Sequence, residues 1–135
     1  MRPPTFTEEE QALIDAAPGF FATDDGTATP WSQRGFEIGR GWHPIVREMA
    51  IAIAEVAPGA RCTQVKEKFG ALRVYTWADP LTTTEVRDAI RAAIDAAEAR
   101  SLQTCERCGN LGQLIQNETW WRVRCPLHRD ARARG

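Results

Sequence analysis

The sequence predicts an α+β domain, with helices packed on a β-hairpin or short antiparallel sheet and a small C-terminal unit of a different kind. Three observations carry this reading. Apolar residues recur at helical spacing in segments that begin at Thr-x-x-Glu or at proline. A stretch between two of them, residues 61–78, is rich in Val, Phe, Tyr, Thr and Trp. The chain then ends in two pairs of metal-ligand residues, each pair with two residues between its members. At 135 residues, with 43% apolar and 26% charged, the length suits one core with an appendage. We divide it as residues 1–104 and residues 105–135.

The elements follow in order. Thr7-Glu8-Glu9-Glu10 reads as a capping box, with Leu13, Ile14 and Ala17 forming the apolar stripe behind it and Pro18-Gly19 stopping the helix. Phe20 and Phe21 are expected to pack back on it. Residues 22–44 read as a long loop, with Asp24-Asp25-Gly26 as a turn and Trp31, Phe36, Ile38 and Trp42 tying it down. Phe36-Glu37-Ile38 suits a short edge strand. Pro44 opens a second helix, with Ile45, Met49, Ala52, Ile53 and Val56 on its buried stripe and Pro58-Gly59 after it. In the hairpin, Gly70-Ala71 fits a two-residue type II′ loop, which wants glycine first. That register sets Phe69 opposite Leu72, Lys68 opposite Arg73, and Lys66 opposite Tyr75. Thr82-Thr83-Thr84-Glu85 is a second capping box, and its helix buries Val86, Ala89, Ile90, Ala93, Ile94 and Ala97.

The last segment carries the strongest chemical signal. Cys105-Glu106-Arg107-Cys108 and Cys125-Pro126-Leu127-His128 offer three thiolates and one imidazole, a closed tetrahedral set for Zn²⁺. Sixteen residues between the pairs are enough for a hairpin that brings the second pair back to the first. Strands are expected at residues 111–116 and 119–123, in a treble-clef-like or ribbon-like unit. Four cysteines also permit buried thiols or disulfides, but a histidine in register favours the metal. Four protein ligands leave no open position, so the expected cofactor is one structural Zn²⁺ per chain. Cys62 is expected to be a small buried hydrophobe.

Charge is unevenly placed. Six of the 17 basic residues but only three of the 18 acids lie in residues 105–135, so that segment carries +3 and the rest −4. A basic end points mildly to an anionic partner, and a solvated arginine-rich tail explains it as simply. No run is long and apolar enough to span a membrane, and no secretory leader is expected from Met1-Arg2-Pro3-Pro4, which leads into an acidic helix with no apolar stretch. A reducing, cytoplasmic location is expected.

Together these residues resemble a group of short phage and prophage proteins. Gly41-Trp42, the Lys66-Glu67-Lys68-Phe69-Gly70 run with Leu72-Arg73-Val74-Tyr75, Cys105-x-x-Cys108-Gly109 and Cys125-x-x-His128 carry the resemblance, over roughly residues 41–128. Ala71 and Trp120-Trp121 depart from the group's glycine-containing pattern. The likeness implies a cytosolic accessory protein of a mobile element, acting in the host cell, and no particular activity.

Enzymatic activity is not expected. His43 and Cys62 are the one remaining Cys–His combination, and no phosphate-cradling glycine loop, HExxH or GxSxG is present. No small-molecule substrate is evident. The first functional expectation is nucleic-acid binding through a basic–aromatic hairpin face, Lys66, Lys68, Arg73, Tyr75 and Trp77, with Arg122, Arg124 and Arg129 at the metal end. The alternative is a protein-interaction module that modulates or inhibits a host complex, suggested by five tryptophans. Lys and Arg stems lying over aromatic rings would explain the same face without a ligand.

Overall fold

The structure is a computed structural model that describes residues 4–23 and 26–132. The expected turn at Asp24-Asp25 lies outside the described residues. In chain order the elements are α1 (Glu8–Ala16), α2 (Pro30–Arg34), β1 (Phe36–Glu37), a 3-10 turn (Arg40–Trp42) and α3 (His43–Val56). They continue with β2 (Arg61–Lys68), β3 (Ala71–Trp77), α4 (Thr84–Ser101), β4 (Gln113–Ile115), β5 (Arg122–Arg124) and a last 3-10 turn (Pro126–His128). The class is α+β, as expected.

The main sheet has the order β1-β2-β3, with β1 parallel and β3 antiparallel to β2. It is therefore mixed rather than purely antiparallel. Parallel neighbours need a long crossover, and α3 supplies it between β1 and β2. Val65, Leu72 and Val74 point inward and are almost fully buried.

Residues 26–44 are less irregular than the sequence suggests. Thr29 caps α2 in a reciprocal pair with Ser32, and Pro30 occupies the first turn. This sets Trp31 into the core, within 5.6 Å of Phe6, 5.0 Å of Phe21 and 4.7 Å of Phe36, ring centre to ring centre. Its indole N–H donates to the Phe21 carbonyl, so the buried polar atom is satisfied. Thr7 and Glu10 form their capping box as expected.

In α3 the buried residues are Ile45, Val46, Met49, Ala50 and Ile53. Ala52 and Val56 face solvent, so the expected stripe is rotated. Several faces of this apolar helix read alike, and packing against α4 and α1 selects one. In α4 the cap is Thr83, one residue later than expected, because the Thr82 N–H belongs to the preceding turn and donates to Asp79. Ile90, Ile94 and Ala97 are buried as expected.

The β2–β3 hairpin has a two-residue loop, but the loop is Phe69-Gly70. Both residues have left-handed φ, 52° and 84°, the pattern of a type I′ turn. Lys68 now faces Ala71, Glu67 faces Leu72, Lys66 faces Arg73 and Gln64 faces Tyr75. Phe69 thus leaves the core face, where the expected register put it, and stands exposed at the tip. Both registers bury the same side of each strand, so burial along the strands cannot choose between them. At the tip, Gly70 has φ 84°, and a Cβ there would lie 3.2 Å from the Arg122 backbone nitrogen, so glycine suits the place where the second hairpin touches. An irregularity between Cys62 and Gln64 then brings Arg61 opposite Trp77.

Candidate metal centre and the outer face of the sheet

Residues 105–128 fold as a knuckle, a short hairpin and a turn. The Gly109 N–H donates to the Cys105 carbonyl, closing the knuckle, and Gly109 has a φ of 85°. β4 and β5 pair antiparallel, with Leu114 opposite Val123. The second strand begins later than expected, since Asn117 accepts the Thr119 and Trp120 N–H groups and holds those residues in the turn. The Arg122–Arg124 strand then delivers Cys125, and the Pro126–His128 turn swings the imidazole back to it.

The four expected ligands converge. One donor atom from each of Cys105, Cys108, Cys125 and His128 lies within 4.8 Å of all the others. Cys108 Sγ is 3.6 Å from Cys125 Sγ, and His128 Nδ1 is 3.3 Å from Cys125 Sγ and 3.9 Å from Cys105 Sγ. A tetrahedron with metal–sulfur bonds of about 2.3 Å and metal–nitrogen bonds of about 2.0–2.1 Å has edges of roughly 3.5–3.8 Å. The donor set therefore fits one ion of that size.

The electrostatics also favour a metal. Burial raises the Cys105 thiol pKa, but backbone N–H groups of Cys125, Cys108 and Arg107 outweigh it and bring the thiol down to about 6. Burial raises Cys108, and its thiol neighbours Cys125 and Cys105 add to this. Several thiols sharing one small volume cannot all ionise without a cation between them.

The unit is built into the domain. Glu106 and Arg124 are almost fully buried and face each other at 3.6 Å, while the other Glu106 oxygen accepts the Gly39 N–H at 2.9 Å. The Gly41 N–H donates to the Glu106 carbonyl, and the Trp42 indole N–H to the Thr104 carbonyl. A Cβ on Gly41 would meet the Cys105 carbonyl oxygen at 2.1 Å. Val123 belongs to the main hydrophobic core.

Sequence reasoning did not find Glu106 as a tether. An acid between two cysteines reads as solvent-facing, and the arginine that neutralises it lies on another strand. Gly41 beside Trp42 was the one available signal.

The eight expected nucleic-acid contacts separate into two groups. Lys66, Lys68, Arg73, Tyr75 and Trp77 share the outer face of β2 and β3, since shifting the turn by one residue preserves strand parity. Tyr75 and Trp77 are 45% and 50% exposed. The cation pair is Lys66 with Arg73 rather than Lys68 with Arg73. Glu37 is the neighbour of Lys66 on β1, and Glu98 lies 4.0 Å from Arg73.

At the metal end, Arg122 and Arg124 are buried, contrary to the solvent-facing role expected of them. Arg122 donates to the Arg129 and Trp120 carbonyls and sits over the Trp120 ring. Arg124 donates to the Ala131 and Val123 carbonyls. Both are occupied in bracing the end of the chain, and only Arg129 of the three is exposed.

Cys62 is buried, and burial pushes its thiol well above the ordinary range. It lines a cavity of about 240 Å³ with Trp31 and Trp77, whereas His43 lines a separate cleft between α1 and α3. Among the described residues, no helix is long and apolar enough to cross a membrane. Compared with protein-family models, curated proteins and solved structures, the chain matches none.

Proposed function

We propose that the chain is a non-enzymatic binding module, stapled by one structural Zn²⁺, that holds single-stranded nucleic acid on the outer face of β2 and β3. One observation carries this reading. Tyr75 and Trp77 stand half-exposed in series on an edge strand, with Lys66, Lys68 and Arg73 on the same face. Aromatic side chains interleaved with cations suit a strand whose bases stack while its phosphates are neutralised. Glu37 and Glu98 border the cation pair, so stacking leads and phosphate contacts are few. Arg129 is the metal-end residue left to reach a phosphate. The resemblance to short phage and prophage proteins supports a cytoplasmic accessory role.

Binding of random oligonucleotides of about 12 nucleotides, within the usual site size, tests this. Among the described residues, neither Lys66 nor Lys68 forms an ion pair. Contacts from these two lysines alone contribute about −1.4 to the slope of log affinity against log salt. Lys68→Glu should lower the affinity and flatten that slope. Trp77→Ala should lower the affinity at both low and high salt. If the wild type does not bind, or if both folded variants match it, the face is only scaffold.

The second reading, a protein-interaction module acting on a host complex, would then take first place. It is favoured by Leu111 and Leu127, which are exposed on the metal-binding unit.

A further inference from the structure

The turn between β2 and β3 breaks a local rule. The first position of a type I′ turn calls for Gly, Asn or Asp, whose short side chains tolerate left-handed φ. Here it is Phe69, at φ 52°. An aromatic residue is sterically disfavoured there, and such outliers persist where the surroundings over-determine them.

Three contacts fix this turn. Glu67 accepts the Gly70 N–H at 2.8 Å, Gly70 abuts Leu114 and Arg122, and the Phe69 ring meets the Trp121 ring edge-on at 6.0 Å. Yet Phe69 remains 66% exposed and Trp121 40%. A residue kept only to pin the second hairpin would bury its ring, and Leu114 already fills that contact. The Lys68 ammonium stands 5.7 Å from the Phe69 ring centre. Lys66 and Arg73 follow it on the sheet face.

We propose that Phe69, braced by Trp121, is a second stacking station for the same single-stranded nucleic acid, at the opposite end of the hairpin from Trp77. This rests on the sheet-face reading above. The occupant follows from the neighbours: a flat apolar ring beside a cation suits a base with its phosphate. The hairpin tip is also continuous with the proposed binding face. β3 runs from Ala71 to Trp77, so the two stations lie about 20 Å apart or more. The interface therefore needs several nucleotides to engage both.

Phe69→Asn is the decisive variant, because asparagine suits the turn. Its melting temperature should equal or exceed that of the wild type, with relief of the disfavoured φ offsetting the lost ring contact. Oligonucleotide affinity should fall by about 5- to 140-fold, the equivalent of one stacked base. Phe69→Trp should keep most of the affinity.

Unchanged affinity in Phe69→Asn, while Lys68→Glu and Trp77→Ala still weaken binding, overturns the second station and leaves the sheet reading intact. A lower melting temperature, with lost amide protection in residues 113–124, makes Phe69 a packing residue and also overturns the proposal. A wild type that binds no oligonucleotide removes both readings together.

Discussion

The two hairpins of this chain are held in different ways. β2 and β3 are eight and seven residues long, and they bury Val65, Leu72 and Val74 in the main hydrophobic core. β4 and β5 have three residues each, and among their apolar side chains only Val123 is fully buried. One buried valine contributes about 1.5–3 kcal/mol, while each ordered residue costs about 1–2 kcal/mol of backbone entropy. The second hairpin therefore depends on what apolar burial does not supply: four converging metal ligands, a buried Glu106–Arg124 pair, and arginines bonded to backbone carbonyls. Chain length in a strand is a guide to which kind of support it needs.

Metal removal should separate the two most sharply. Apparent binding free energies of structural zinc sites are about 10–16 kcal/mol at neutral pH, more than most domains have in total stability. Chelation, or Cys125→Ser, should abolish amide protection over residues 104–128. Two further segments should loosen with it: residues 39–42, which hang on Glu106 and Thr104, and the Phe69-Gly70 tip. The centre of β2–β3 should stay protected. Uniform loss would show one cooperative unit, and no loss would show that the cluster needs no metal. Cys62→Ala should keep the full metal content, measured under reducing conditions.

The same contrast explains what can be read from the sequence. The ligand set is legible because metal chemistry demands particular residue types at short fixed spacings. The helices and β2–β3 are legible because burial imposes periods of 3.6 and 2. The turn register is not, because both registers bury the same strand faces. Nor are Arg122 and Arg124: alternating arginines near a basic terminus read as solvent-facing. Their burial follows from carbonyls at Trp120, Arg129 and Ala131 that only the folded turn brings within reach.

Next in size is the buried pair. Glu106→Ala leaves the Arg124 guanidinium buried without its carboxylate and the Gly39 N–H without its acceptor. Breaking a buried pair on one side costs about 3–5 kcal/mol. Chemical denaturation of the metal-loaded protein measures it, and a cost below about 1 kcal/mol would mean that the unit is an independent appendage. On the apolar side, Ile53→Ala and Ile94→Ala should each cost about 2–5 kcal/mol, since both side chains are essentially inaccessible. Changes within about 0.5 kcal/mol at both positions, as at exposed sites, would show that the α3–α4 interface does not carry the core.

The smallest effect is a pH dependence centred on His43, at the start of α3. Burial lowers the His43 pKa below its ordinary 6.5, while Glu10 and Glu9 across the cleft raise it and leave a net decrease. Arg40 and Arg47 line the same cleft, so protonated His43 would join two cations. A histidine whose pKa is lower in the folded than in the unfolded state binds fewer protons when folded. Its contribution is therefore complete above pH 6.5 and is lost as the pH falls through the folded-state value. Acid also releases the metal, because thiolates and imidazole must be deprotonated to bind it. The measurement is consequently a difference: urea unfolding of wild type and His43→Gln, both metal-loaded, from pH 7.5 down to 5.5. The wild type should lose more stability than the variant over that interval, while the metal-linked loss is common to both and cancels. Parallel curves would show that His43 binds protons equally in the folded and unfolded states. A wild type that gains on the variant as the pH falls would mean that Glu9 and Glu10 outweigh burial.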